Sequence, residues 1–195
     1  MAITIFLLFF LIDSSAKAAD YKTGPYAGVS VGVSSDQITT AGIDLGAQGA
    51  VVGALAGWTH PVSNMVLGLE GNVGWNGVSG HWTDTSATFT SDGSWYAGLR
   101  GRAGLPLGPV LLFAMAGPSF QEMKISMGAE SSSRVLLGLT AGAGVDLQLT
   151  NTMSIRLAGE HTWWKDASFD LGRPVLLESG REDTKFYSAV IFNLN

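Results

Sequence analysis

SWYAGLRGRAGLPLGPVLLFAMAG, residues 94–117, consists of two extended runs around a Pro/Gly turn, and only one face of it carries charge. In the first run Trp95, Ala97, Leu99, Ala103 and Leu105 share one parity, while Tyr96, Gly98, Arg100, Arg102 and Gly104 share the other. Successive side chains of a strand point to opposite faces, so both arginines fall on one side and the apolar residues on the other. Leu105-Pro106-Leu107-Gly108-Pro109 then reverses the chain. Residues 110–117 return as an apolar run too short for a membrane helix.

The rest of the chain repeats this plan. Residues 24–34 set Ala27, Val29, Val31 and Val33 against Gly28, Ser30 and Gly32, which makes a first strand. A polar stretch at 35–44 leads to a second extended run, 45–58, in which both parities are apolar, so its facing stays open. Residues 59–64 read as a turn. In 65–77 Met65, Leu67, Leu69, Val73 and Trp75 oppose Gly68, Glu70, Asn72, Gly74 and Asn76. A polar loop at 81–93 leads into the opening hairpin, whose second strand continues past Pro118 toward Met123; a proline there implies an edge, a bulge or a strand end. After a loop at 126–133, residues 135–149 place Val135, Leu137, Leu139, Val145, Leu147 and Leu149 opposite Gly138, Thr140, Gly142, Gly144, Asp146 and Gln148. Beyond the tight turn at 150–152, the run 153–163 sets Met153, Ile155 and Leu157 against Arg156 and Glu160. A long polar loop, 165–182, precedes the final strand, 184–194, where Phe186, Val190, Phe192 and Leu194 oppose Lys185, Tyr187 and Asn193.

Eight strands result, with connections that alternate long and short. An even antiparallel meander with short turns at one end and long loops at the other is the layout of an outer-membrane β-barrel, and strands of about 9–11 residues suffice to cross. Composition agrees. Glycine supplies 26 of 195 residues, about twice the ordinary share. Charged residues are 14% and hydrophobic ones 46%, so the apolarity is dispersed as strands require rather than gathered in helices. One composition throughout implies one domain. A formal charge of −5 without a basic cluster excludes nucleic acid as a partner, and the absence of cysteine excludes disulfides and thiolate metal sites. Residues 1–18 read as an export signal, with an apolar run over 2–12 and Ala16-Lys17-Ala18 as the small-x-small cleavage pattern, although no Lys or Arg precedes the run. The barrel domain is then 19–195.

Alternation alone does not say which face meets lipid, because a soluble lipocalin-like barrel alternates with its apolar face inward. Three features favour the membrane arrangement. Glu70, Arg100, Arg102, Asp146, Arg156 and Glu160 all lie on the polar parity at strand centres, as they must if the other face meets hydrocarbon. The glycines collect on that same parity and leave room for long charged side chains. Aromatic residues gather near strand ends, where Tyr26, Trp58, Trp95, Trp163, Trp164 and Phe192 are expected to form interfacial girdles. An eight-stranded barrel is only wide enough for its own side chains. Three carboxylates facing three guanidiniums are therefore expected to pair and plug the lumen rather than line an open pore.

WYAGLRGRAGL at 95–105 followed by the apolar run 110–117, and AGAGVD at 141–146 followed by a Thr-Asn turn and MSIRLAGE at 153–160, resemble the small porin-family outer-membrane proteins with an OmpA-like eight-stranded barrel. The resemblance implies a surface-exposed structural protein of the Gram-negative envelope. Such a protein contacts outer-membrane lipid and lipopolysaccharide, is inserted by the barrel-assembly machinery, supports envelope integrity or host interaction, and has no known catalytic site or cofactor. A monomer is expected. The sequence departs from the family at its close, Phe192-Asn193-Leu194-Asn195, where such barrels carry a terminal aromatic residue.

Other chemistries fit poorly. Gly28-Val29-Ser30-Val31-Gly32 matches G-x-S-x-G but lies inside an alternating strand instead of at a strand-to-helix elbow. His161 near the outer end of the seventh strand invites a lipid-directed enzyme, yet Thr162-Trp163-Trp164 follows where such an enzyme is expected to place a serine; an interfacial role suits it better. His60, His81 and His161 lack ligand spacing. A structural or surface-interaction barrel is the leading reading, a narrow diffusion channel the alternative, and a lipid-modifying enzyme or a soluble lipocalin-like barrel comes behind both.

Overall fold

The computed structural model describes residues 21, 23–40, 43–77, 81–84, 87–90, 94–127, 130–165, 169–170, 174–175 and 181–194. The expected signal at 1–18 lies outside them. The strands in chain order are β1 (Gly24–Thr40), β2 (Ile43–Val62), β3 (Met65–Asn76), β4 (His81–Asp84), β5 (Ala87–Thr90), β6 (Ser94–Leu107), β7 (Val110–Met127), β8 (Glu130–Gln148), β9 (Met153–Trp164), β10 (Phe169–Asp170), β11 (Pro174–Val175) and β12 (Arg181–Asn193). Among the described residues, eight of them close a barrel in the order β1-β12-β9-β8-β7-β6-β3-β2, while β4–β5 and β10–β11 form separate two-stranded sheets within the long connections. Every pairing is antiparallel, and closure comes from β1 against β12, from Tyr26↔Asn193 to Ile38↔Arg181.

The alternation read from the sequence is the alternation of burial. On β6, Tyr96, Arg100, Arg102 and Gly104 are buried while Trp95, Leu99 and Leu105 are exposed; on β9, Ser154, Arg156, Ala158 and Glu160 are buried while Ile155 and Leu157 are exposed. The exposed surface is thus the apolar one, with Val31 57%, Leu69 54%, Leu139 57% and Leu157 63% accessible. A water-soluble barrel would have the opposite arrangement. The facing of β2, open from its sequence, follows from its register with β1 and β3: Val51, Leu55 and Thr59 point inward, and Val52, Ala54, Ala56 and Trp58 point outward. Leu55 is apolar yet internal because it packs with Tyr26, Ala189 and Ile191 toward the short-turn end of the lumen.

Several strands are longer than their apolar runs. Residues 35–40 belong to β1 and 43–44 to β2, not to a loop, and β7 and β8 extend through most of 126–133. Polar residues mark where a strand leaves an apolar slab; pairing continues past that point because the backbone bonds do not depend on side-chain polarity. The turn expected over 59–64 contracts to Ser63 and Asn64, with Ser63 at φ 58°. The opening hairpin turns at Gly108-Pro109, with Gly108 at φ 64°, a conformation that glycine adopts without cost. Pro118 neither ends β7 nor lies on an edge. The β6–β7 ladder breaks between Gly98↔Ser119 and Gly101↔Ala116, where proline has no N–H to donate, while Pro118↔Leu139 keeps register with β8.

Candidate functional site

Strand parity delivers Glu70 from β3, Arg102 from β6, Asp146 from β8 and Arg156 from β9 to the middle of the lumen, and their register closes them into a ring. Arg156 donates from Nε to Asp146 Oδ1 at 2.7 Å and from Nη2 to Asp146 Oδ2 at 2.9 Å, a two-pronged contact, and from Nη1 to Glu70 Oε2 at 2.6 Å. Arg102 spans the same two acids, from Nη2 to Asp146 Oδ2 at 2.9 Å and from Nη1 to Glu70 Oε2 at 3.2 Å. Each guanidinium thus bridges both carboxylates. The Tyr26 hydroxyl joins from β1, donating to Glu70 Oε2 at 2.7 Å and accepting from Arg102 Nη1 at 2.8 Å. Phe113 of β7 lies against both cations, with Arg102 Cζ 4.0 Å and Arg156 Cζ 4.9 Å from the ring centroid. All four charged residues are buried, Arg156 completely. Charges so far from water persist only when paired and hydrogen-bonded on several sides, as these are.

A second pair lies above the ring. Arg100 donates from Nη2 to Glu160 Oε2 at 2.6 Å and from Nη1 to Asn72 Oδ1. A side chain at Gly98 would meet both Arg100 Nη1 and Asn72 Oδ1 at 2.7 Å, so the glycine makes room for this pair. The Lys185 ammonium is 4.3 Å from the Tyr96 ring centroid and 3.7 Å from Asp183 Oδ2. Higher still, the hydroxyls of Ser119, Thr140 and Thr162 form a chain with spacings of 2.7 and 2.8 Å, and Trp164 Nε1 donates to Asp183 Oδ2 at 3.0 Å. At the opposite end Tyr21 packs against Val66 and Leu111 near the short turns. The cavities above and below the ring have volumes of about 10 Å³ each, room for about one water molecule.

All six charged residues expected in the lumen are there. The girdle is corrected at two positions. Tyr26 and Trp164 are not interfacial; both are buried inside, where the hydroxyl of one and the indole N–H of the other find carboxylate partners. Their parity carried the signal, since Tyr26 shares the phase of Gly28 and Ser30, and Trp164 that of Arg156 and Glu160. Trp58, Trp95, Trp163 and Phe192 do face outward, Trp58 and Phe192 toward the short-turn end, Trp95 and Trp163 toward the long loops. Trp75, absent from the expected set, meets Trp95 edge-on at 5.3 Å. Tyr21, Tyr96, Asn72, Asp183 and Lys185 were also missed as members of the interior network. For Lys185 and Tyr96 the parity sufficed, whereas Asp183 lies between the loop expected at 165–182 and the strand expected at 184–194.

His161 faces outward beside Trp163, ring centroids 4.6 Å apart. Its Nδ1 is 2.9 Å from Thr184 Oγ1 and its Nε2 3.4 Å from Glu182 Oε2. Among the described residues no three His, Cys, Asp or Glu side chains converge as metal ligands would.

Known proteins carry the same architecture. The chain is 31% identical over 120 residues to a 25 kDa outer-membrane immunogenic protein of Brucella canis, a match covering 61% of this chain and 54% of the relative. It is 29% identical over 115 residues to a 22 kDa outer membrane protein of Rhizobium leguminosarum bv. viciae, covering 59% and 53%. The matches thus span about half the length of these relatives. Among solved structures, Neisserial surface protein A superimposes with a TM-score of 0.56 at 14% identity over 87% of this chain and 97% of that one. OprG from Pseudomonas aeruginosa does so at 0.50 and 12% over 88% and 95%, a likeness of fold alone. The sequence matches the family described as outer membrane protein beta-barrel domain over residues 4–192. With its apolar exterior, closed eight-stranded meander and charged interior, the chain belongs to that family and is a β-barrel of the outer membrane.

Proposed function

We propose that the protein is a structural and surface-interaction barrel of the Gram-negative envelope, closed to solutes, whose exterior contacts lipopolysaccharide and whose long loops present its outer face. The observation that carries the closed lumen is the ring of Arg156, Asp146, Arg102 and Glu70, in which each cation spans both anions at 2.6–3.2 Å. A solute passing this level would have to break at least one charge-assisted contact inside a low-dielectric interior. Tyr21 at the lower mouth and the hydroxyl chain above add two further constrictions. The relatives' description as outer-membrane immunogenic proteins supports an outward-presented surface.

The pure protein in planar bilayers is expected to give no well-resolved single-channel conductance; discrete, reproducible openings would establish a diffusion channel instead. Catalysis is not part of this reading. Thr184, His161 and Glu182 are neighbours, but Thr184 lies within β12, paired with β9 on one side and β1 on the other, so surrounding N–H groups are committed to the ladders. An acyl-transfer site needs free donors aimed at the developing oxyanion.

A further inference from the structure

Tyr21 stands before the first strand, outside the barrel ladders, and yet it is buried. Its neighbours show where it goes. It packs against Val66 of β3 and Leu111 of β7, and its hydroxyl comes to Ser154 of β9. In the closed order β1-β12-β9-β8-β7-β6-β3-β2, β9 and β3 are two strands from β1 on either side, and β7 is four strands away, on the opposite wall. A side chain that starts from the leading end of β1 and touches all three has crossed the mouth. Val66, Leu111 and Ser154 are each the second residue of a strand that follows a short turn, so the crossing is level with that end of the barrel.

The chain bends at Gly24 to make that crossing. Gly24 has φ 130°, a conformation that a residue with a Cβ rarely adopts. Thr59, its register partner on β2, fastens the bend with one hydroxyl, which accepts from the Gly24 N–H at 3.3 Å and donates to the Gly24 carbonyl oxygen at 3.4 Å. Above Tyr21 lies the cavity of about 10 Å³ whose other wall is Arg102, Asp146 and Arg156 of the ring. Tyr21 is thus the layer between the buried charges and the short-turn side, which faces the periplasm in such barrels.

We propose that Tyr21, with the bend at Gly24 and the clamp at Thr59, is a strap that shuts the periplasmic mouth and lifts independently of the barrel. Tyr21 takes no part in the ladders of β1, so it can leave its seat while all eight strands stay paired, a local opening that costs far less than unfolding. Seated, it keeps water from the ring and holds those charges in a low-dielectric interior, where their pairing is strongest. Lifted, it opens a path from the periplasm to Arg102, Asp146 and Arg156. The strap builds on the closed-lumen reading and adds a second barrier, removable without the first.

The chain contains no cysteine, so a single introduced thiol reports access cleanly. Ile191→Cys places one on the wall of the cavity between strap and ring, and Val51→Cys on the wall of the cavity above the ring. The full chain, folded in detergent so that both mouths meet the reagent, is followed for its rate of modification by a charged methanethiosulfonate. Ile191→Cys is expected to react about tenfold faster once Tyr21→Ala or Thr59→Val is added. Tyr21→Phe should leave the rate near its original value, because the ring keeps its bulk, and Val51→Cys should be unmoved by all three. A different gel migration before and after boiling verifies that each variant is folded, and Ser154→Cys, close in size to the native residue, replaces Ile191→Cys if the latter is not. A thiol below the ring that reacts equally fast with and without Tyr21→Ala would overturn the strap. Acceleration of Val51→Cys together with Ile191→Cys would uphold the strap and remove the ring as a barrier, so failure of the closed lumen and failure of the strap read differently.

Discussion

Asp146 and Arg156 are register partners on β8 and β9 and meet through two parallel contacts, Nε to Oδ1 at 2.7 Å and Nη2 to Oδ2 at 2.9 Å. The fork geometry fixes both side chains, and Arg156 then reaches Glu70 with its remaining terminal nitrogen. Arg156→Ala leaves two buried carboxylates short of a counter-charge, which costs about 3–5 kcal/mol. Urea unfolding of the protein in lipid vesicles should register that loss. Unchanged unfolding would show that the ring does not hold the barrel together.

Tyr26 tests the same ring more gently. Its hydroxyl both donates to Glu70 and accepts from Arg102, so Tyr26→Phe removes one oxygen and nothing else, at a cost of about 1–3 kcal/mol. Trp58→Phe, at a lipid-facing position, should fall well below that. If the two variants melt alike, Tyr26 belongs to the girdle after all.

Tyr26 and Trp164 also show what the sequence made legible and what it did not. Strand count and the shared parity of the six lumen charges could be read from period-2 alternation, closure from the even number of strands with alternating long and short connections, and the outward face only from where the charges, glycines and aromatics fall on that pattern. Grouping aromatics by nearness to strand ends overrode that same parity for Tyr26 and Trp164. The facing of β2 was unreadable for another reason: Val51 and Leu55 inside and Val52 and Ala54 outside are equally apolar, so only pairing with β1 and β3 decides. Asp36 falls in a polar stretch that reads as a connection and Asp183 between the loop at 165–182 and the strand at 184–194, yet they are register partners on β1 and β12, and both are buried.

Leu69 points outward next to inward Glu70 on β3, with 54% of its surface accessible. Leu69→Arg places a guanidinium in hydrocarbon only one residue from a position where Glu is tolerated, and should lower folding stability in vesicles by about 2–4 kcal/mol. A variant as stable as wild type would mean that Leu69 lies outside the apolar band.

Gly117 occupies the interruption in the β6–β7 ladder. A Cβ there would collide with the Leu99 carbonyl oxygen and approach Arg100 Cα at 2.9 Å. Backbone atoms cannot swing aside, so Gly117→Ala should cost about 1–3 kcal/mol through displacement of the strands. It should also lower the melting temperature more than Gly101→Ala, whose nearest atom would be 3.9 Å away. Equal melting of the two would show that β6 and β7 separate freely at Pro118.

The ring inside the lumen also bears on how the protein can reach the membrane. Tyr26, Glu70, Arg102, Asp146 and Arg156 come from five strands, and Glu70 and Arg156 are 86 positions apart in the chain. A sheet that entered hydrocarbon before its first and last strands met could keep the neighbouring-strand pairs Asp146–Arg156 and Glu70–Arg102, but would leave the contacts that cross the lumen, Arg156 to Glu70 and Arg102 to Asp146, unmade. Partly inserted forms are therefore disfavoured relative to both the chain in water and the finished barrel. Contacts that cross the lumen thus favour insertion and closure as one cooperative event, since only the closed barrel makes all of them.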